Sequence, residues 1–362
     1  MPEGQRRVLF VLWAANLGGV QSSIRTRIQG LQGLGVAADV LFLHPGSGRE
    51  TFRGVRTYVS RHPGSFRALV ERHRYRAISF VNMTPPVEPL RRLNYRGTLV
   101  FELRGFSQRG LHICAALSPK EFKAIVVPSR YVGDLVRRAR PAASVPVEIL
   151  YNAVDTSLFR PLPSVPRGDV PPHPVLLWVG RLDWNKNFME LLRVGRIMAE
   201  QGRSFALWVV SDVNVSPYTH RFHQAVRAAG LEDRVRLFPN VARHHMPRLY
   251  NVAARSGGCV LSTSRSEGLQ NSLLEGMACR CPVVSSAVGG NTEIVTDGVT
   301  GALYPLGEPG AAAVKVGEIM DSPRLHRRLG DAGWEWVRKR FAPKQHARAF
   351  LRIIGMAAGR KK

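Results

Sequence analysis

Short, continuously apolar runs alternate with amphipathic stretches along most of this chain, and the pattern occurs twice, once on each side of a proline-rich stretch. An apolar run of about five residues without polar alternation fits a strand buried on both faces, the condition of strands in a helix-covered parallel sheet. In the first half Val8–Leu12, Ala38–Phe42, Ala77–Val81, Thr98–Glu102, Ala124–Val127 and Val147–Leu150 read as such strands. Helices are predicted over Val20–Leu34, Pro63–His73 and Tyr131–Arg140. In the second half strands are predicted at Val175–Val179, Ala206–Ser211, Val235–Phe238, Cys259–Ser262 and Pro282–Ser285. The helices between them are Phe188–Gln201, Thr219–Ala229, His245–Ala254 and Ser272–Cys279. Residues 161–174 hold six prolines. Proline fixes its own backbone and restricts the residue before it, so this stretch predicts a linker.

The expected fold class is α/β, with two Rossmann-like domains facing a cleft. The first covers residues 1–160, the linker 161–174 and the second 175–342. A basic amphipathic helix at Pro343–Met356, within 343–362, returns to the first domain. A length of 362 residues suits two domains of roughly 150–200 residues each. No apolar run is long enough to span a membrane. Arg6-Arg7 followed by Val8–Ala15 imitates a signal peptide, but Gly18-Gly19 and a helical stretch follow, so a buried first strand is expected. Cys114, Cys259, Cys279 and Cys281 show no metal-ligand spacing and read as reduced, buried thiols of a cytosolic protein. His44, His112 and the pair His244-His245 likewise suggest no metal site.

Fifty-two basic residues against 26 acidic ones give a net charge of +26. Such a field favours anionic partners: nucleic acid, phospholipid surfaces or phosphorylated glycans. Arg67, Arg72, Arg74 and Arg76 lie close together in sequence, followed by Arg91, Arg92 and Arg96, and the carboxy-terminal stretch is also strongly basic. Zinc-finger spacing, an aromatic RNA-binding stripe and a basic-region helix are all missing, so no nucleic acid is expected. An anionic membrane surface, touched peripherally on its inner face, is the expected alternative to a charge that serves solubility alone.

The most specific segment is Ser264-Arg265-Ser266-Glu267-Gly268-Leu269-Gln270-Asn271-Ser272-Leu273-Leu274-Glu275. It puts two carboxylates eight positions apart across a predicted strand–loop–helix junction. Gly268 lets the loop backbone approach a ligand closely. Asn271 or Ser272 can cap the helix, whose N-terminal amides suit a phosphate. Acceptor side chains on either side of an anion site fit a ligand with hydroxyls flanking a phosphate, which describes a nucleotide sugar. Downstream come Pro282-Val283-Val284, then Val288-Gly289-Gly290-Asn291-Thr292-Glu293-Ile294-Val295, then Asp297-Gly298-Val299-Thr300-Gly301. Upstream, Gly180-Arg181-Leu182-Asp183-Trp184-Asn185-Lys186-Asn187 supplies two cations, and fixed cations stabilise a leaving diphosphate without a metal.

In that order and spacing these elements resemble family 4 of the glycosyltransferases, which implies a GT-B fold and a retaining, nucleotide-sugar-dependent transferase. Lys186-Asn187 stands where the family has Lys-Gly, and asparagine tolerates the left-handed turn this requires. Tyr151-Asn152-Ala153-Val154-Asp155 resembles the family's entry to the linker, or simply caps local structure. Gly18-Gly19-Val20-Gln21, after the first strand, resembles the loop that meets the diphosphate. The resemblance implies that Arg181 and Lys186 neutralise the diphosphate, Glu275 binds ribose hydroxyls and Glu267 binds the transferred sugar. Gly19 and the amides of Gly268, Leu269, Gln270 and Asn271 complete the donor site. Uridine is the expected base. No cofactor and no metal are expected, since no Asp-x-Asp motif occurs in either segment. In the first domain Glu102 and Arg104 are candidates for acceptor or sugar contacts, against a structural Glu–Arg pair. The acceptor is a glycan, a lipid-linked or a small molecule. The alternatives are a sugar-nucleotide epimerase of the same fold and a non-catalytic polyanion-binding protein.

Overall fold

The computed structural model describes residues 6–357 apart from 17, 106, 140–144, 215 and 217. Arg140, Phe106 and residues 358–362, which the sequence reading drew into a helix, the Glu102 segment and the terminal helical stretch, lie outside the described residues. The chain divides into two units, Met1–Ala153 with Pro343–Lys362, and Val154–Ala342.

In the first unit the described strands are β1 (Arg7–Ala14), β2 (Ala37–His44), β3 (Arg56–Val59), β4 (Ala77–Val81), β5 (Thr98–Glu102), β6 (Phe122–Val127) and β7 (Val147–Ile149). They form one parallel sheet in the order β3-β2-β1-β4-β5-β6-β7. In the second they are β8 (Val175–Val179), β9 (Ala206–Ser211), β10 (Val235–Pro239), β11 (Cys259–Ser262), β12 (Val283–Ser286) and β13 (Ala302–Tyr304), parallel in the order β10-β9-β8-β11-β12-β13. The central strands carry apolar residues on both faces because helices cover both: Val8, Leu9, Phe10 and Val11 are wholly buried, as are Val175, Leu176 and Leu177. Order reverses between β1 and β4 and between β8 and β11. The helical crossovers diverge at such a switch point, so a crevice opens beyond the carboxyl ends of those strands.

The helix Pro343–Ile353 belongs to the first unit. Its Ala347, Phe350 and Leu351 join the core of Phe10, Ile24 and Ile28, and Phe350 packs on Phe10 with ring centroids 5.7 Å apart. The crossing with helix Gly19–Gln32 is so close that a Cβ on Gly30 would stand 2.3 Å from the Pro343 carbonyl oxygen. The proline-rich stretch expected as a linker lies within the second unit. Its polar backbone groups are taken up there: Asn251 Oδ1 accepts from Leu162 N (2.8 Å), and Arg255 Nη2 donates to the Leu162 carbonyl (2.6 Å). Arg248 pairs with Asp169. The short edge strands β3 and β13 and helices Gln108–Ala116, Pro309–Asp321 and Pro323–Arg340 lie outside the sequence-based expectations.

Candidate functional site

The two loops that leave β8 and β11 at the switch point carry Arg181, Lys186 and Glu267, and the helix after the second carries Glu275. Trp178, buried in β8, donates through Nε1 to the Thr263 hydroxyl (3.0 Å), which also faces the carbonyls of Lys186 and Asn187 at 3.0 Å each. Asn185 Nδ2 donates to the Ser266 carbonyl (3.0 Å), and Arg265 N to the Asn185 carbonyl (2.7 Å). The loops are therefore laced together before any ligand arrives. Asn187 turns the chain into helix Phe188–Glu200 with φ 57° and ψ 50°, the left-handed conformation that asparagine tolerates. Its side chain donates to Glu190 Oε2 (2.7 Å) and accepts from Arg265 Nη2 (3.2 Å).

Within that frame Lys186 Nζ lies 2.5 Å from Glu267 Oε1, both side chains largely buried. Asp183 holds the lysine backbone by accepting from its N–H (2.7 Å). Gly180 makes room for the lysine stem, since a Cβ there would stand 3.1 Å from Lys186 Cγ. Arg181 reaches solvent instead, 60% exposed, and pairs with Asp183 at 2.9 Å. The loop 267–270 rests on the next one: Gly290 N donates to the Glu267 carbonyl (2.9 Å), and a Cβ on Gly290 would fall 2.0 Å from the Gly268 oxygen.

The helix after this loop runs Asn271–Ala278 with Gln270 at the N-cap and no side-chain cap bond. This corrects the expectation that Asn271 or Ser272 caps it. The Gln270 side chain is committed inside the protein, with Oε1 accepting from Ser262 Oγ (2.6 Å) and Asn291 Nδ2 (3.2 Å) and Nε2 donating to Ser272 Oγ (2.9 Å). Leu269 is buried. What these two residues offer a ligand is backbone. An N-terminus without a side-chain cap attracts an anion through its amides and the helix dipole.

Glu275 sits one turn into this helix. Burial pushes its carboxyl up to about 7; the nearby charge of Arg243 and the hydrogen bond from Tyr250 Oη to Oε2 (2.9 Å) offset only part of that rise. Tyr250 and Arg243 escaped the sequence reading, because nothing in their spacing ties them to the Glu267–Glu275 segment.

Gly19 opens the first helix of the other unit, separated from the end of β1 by four residues, at that sheet's own switch point. Glu102, the last residue of β5, is wholly buried. It pairs with Arg27, accepts from Ser79 Oγ (2.5 Å) and lies 3.4 Å from Arg104 Nη1. Arg104 also donates to Ser23 Oγ (2.8 Å) and to Asn152. Burial pushes the Glu102 carboxyl up, and the guanidiniums of Arg27 and Arg104 outweigh it, holding it below its ordinary value. Of the two readings offered for Glu102 and Arg104, this enclosure supports the structural pair. Asp155, in the second unit, accepts from the backbone of Ser157 (3.1 Å) and Leu158 (3.2 Å), a local turn. Part of the basic run in the first half is neutralised by carboxylates: Arg67 by Glu71, Arg91 by Glu121 and Arg92 by Glu88. No helix of the described residues is long and apolar enough to cross a membrane.

Residues 168–336 match the family model described as glycosyl transferases group 1. Over 249 residues the chain is 29% identical to 2-deoxystreptamine N-acetyl-D-glucosaminyltransferase of Streptomyces fradiae, which covers 68% of this chain and 54% of that protein. Over 205 residues it is 28% identical to a GDP-mannose-dependent alpha-(1-6)-phosphatidylinositol monomannoside mannosyltransferase of Mycolicibacterium smegmatis, covering 54% and 52%. The chain thus spans about half the length of the curated relatives it matches. Among solved structures, Anabaena HepE in complex with UDP-glucose superposes with a TM-score of 0.81 at 21% identity, over 96% of this chain and 99% of that one. A sucrose-phosphate synthase from Thermosynechococcus elongatus gives 0.80 at 18% identity, over 96% and 98%. The chain therefore has the fold of the GT-B glycosyltransferases, and its second unit resembles the group 1 glycosyl transferases.

Proposed function

We propose that this protein is a family 4-type glycosyltransferase that moves a sugar from a nucleoside diphosphate, with UDP as the carrier, to a glycan or lipid-linked acceptor, retaining the anomeric configuration. The observation that carries this reading is the meeting of Lys186 and Glu267 at 2.5 Å across the two switch-point loops, beside a helix end without a side-chain cap. A diphosphate draws Lys186 to itself, with Arg181 as the second cation, and the amides of Gly268–Asn271 close over sugar and phosphate. Glu267, released from the lysine, accepts from the sugar hydroxyls, and Glu275 accepts from the ribose. In the reaction the bond from the anomeric carbon to the diphosphate oxygen breaks and a bond to the acceptor oxygen forms on the same face. The acceptor proton passes to the departing phosphate. Cationic side chains take the electrostatic role that a divalent metal fills elsewhere, so the reaction needs none. We assign the protein to the cytosol, at most peripheral on the inner membrane face; the buried thiols of Cys259, Cys279 and Cys281 support a reducing setting.

UDP should raise the melting temperature, because a ligand bound only by the folded state stabilises it. Lys186→Ala should remove that rise, and nucleotide release from a panel of nucleotide sugars should survive EDTA. A UDP-induced rise undiminished in Lys186→Ala would refute the site; release abolished by EDTA and restored by Mn²⁺ would refute the metal-free chemistry.

A further inference from the structure

At the far end of helix Asn271–Ala278 the second unit holds another basic concavity, of about 440 Å³. Among the residues lining it are Thr156, Phe159, Arg160, Arg280, Trp334 and Arg338. Three of its described lining residues are arginines and none is acidic. Two features show that the arginines are built in rather than scattered. Arg280 and Arg338 both stack on the Trp334 indole, at 4.1 and 4.4 Å from the ring centroid. Stacking fixes the guanidinium plane and leaves its N–H edge to face a ligand. Arg280 itself stands at φ 58°, just past the helix end, where glycine is the usual residue. A long side chain at a left-handed position is strained, so its presence there calls for a compensating role.

The negative groups nearby do not cancel this charge. Asp331 pairs with Arg280 Nε at 3.3 Å, and the helix carboxyl end contributes roughly half a charge. Together they offset about half of three guanidiniums, and crowding the rest without a counter-charge is unfavourable. We propose that this concavity is a second anion site, binding a phosphate or pyrophosphate group between Arg160, Arg280 and Arg338. It lies at the carboxyl end of helix Asn271–Ala278, an eight-residue helix about 12 Å long, and the proposed diphosphate position at the opposite, amino end is separate from it. Planar guanidiniums match phosphate oxygens in pairs, and the Thr156 hydroxyl supplies a further donor. The site accepts a phosphorylated small molecule or the phosphate of a lipid headgroup by the same contacts.

The test is made in the whole 362-residue chain carrying Arg181→Ala and Lys186→Ala, so that the candidate donor position does not compete. Inorganic pyrophosphate is titrated calorimetrically at constant ionic strength without metal. One saturable event is expected, weakened about tenfold or more when Arg160→Gln and Arg338→Gln are added, since each removes a charge-assisted contact. These substitutions leave the Arg280–Asp331 pair in place. Far-UV circular dichroism checks the fold, and Arg338→Gln alone, expected to weaken binding several-fold, replaces the double change if that change unfolds the chain. Absence of saturable binding before the glutamines are added, or equal binding after, overturns the proposal. Sedimentation with phosphatidylglycerol against phosphatidylcholine vesicles then identifies the source. Loss of phosphatidylglycerol binding with the glutamines marks a headgroup, and indifference to both vesicles marks a free phosphate.

Discussion

Glu275 keeps its proton to a pH where an ordinary glutamate has long lost it, because burial pushes its carboxyl up to about 7 against a usual 4.5. In the role proposed for Glu275, only the carboxylate is a full acceptor for two ribose hydroxyls. Affinity for UDP-glucose, which does not itself titrate in this range, should therefore strengthen from pH 6 to pH 8 by on the order of tenfold. Glu275→Gln should flatten the profile; an unchanged profile in that variant would put the titration elsewhere. The same shift has a stability sign. The folded chain holds a proton that the unfolded chain releases above 4.5, so this contribution is fully present below 4.5 and is lost as pH rises through about 7. Glu275→Gln should accordingly raise the melting temperature more at pH 8 than at pH 4. Glu267 and Glu275 stand out in the sequence because a short spacing ties them to one loop–helix junction, whereas Lys186, 81 residues from Glu267, stands out only within its own segment Gly180–Asn187. Tyr250 and Arg243 could not, since they reach Glu275 through packing of a separate helix and loop that leaves no periodic trace.

At the scale of elements, the site depends on how closely its loops can lie. Gly290 has room for no side chain against the Gly268 backbone. Gly290→Ala should cost about 1–3 kcal/mol by overpacking and displace the Glu267–Gln270 loop with it. Chemical denaturation should show the loss, and stabilisation by UDP should fall in the same variant. Wild-type stability with a full UDP response would mean that the loop contact is incidental. Strands buried on both faces were legible because an uninterrupted apolar run has few other places to go. The edge strands β3 and β13 were not: β3 mixes polar and apolar residues, Arg56-Thr57-Tyr58-Val59, and β13 is only the three residues Ala302–Tyr304. Helix Pro323–Arg340 was missed because its exposed face is crowded with arginine and its buried positions, Leu329, Gly330, Gly333 and Val337, are few and partly glycine. The prolines of 161–174 were read as a linker because sequence shows where hydrogen-bond donors are lacking, not that Asn251 and Arg255 stand ready to take the remaining groups.

At the scale of the molecule, the first unit is written in two pieces, with the second unit inserted between them. Helix Pro343–Ile353 covers Phe10, and its His346 accepts from Arg27 Nε at 2.9 Å. Ending the chain at Ala342 should therefore loosen the unit that the missing residues close. Hydrogen exchange should rise across β1, β4 and β5 while the strands of Val154–Ala342 keep their protection. Equal protection of both units in the shortened protein would show that the helix is dispensable. The order of synthesis gives this arrangement a cost of its own. A ribosome delivers the first sheet complete, yet its lid emerges only after some 190 further residues have been translated. Throughout that interval an apolar seam and a buried ion cluster stand open to other nascent chains. A chaperone that shields exposed apolar surface should find its main task here in guarding the amino-terminal half until the last helix arrives.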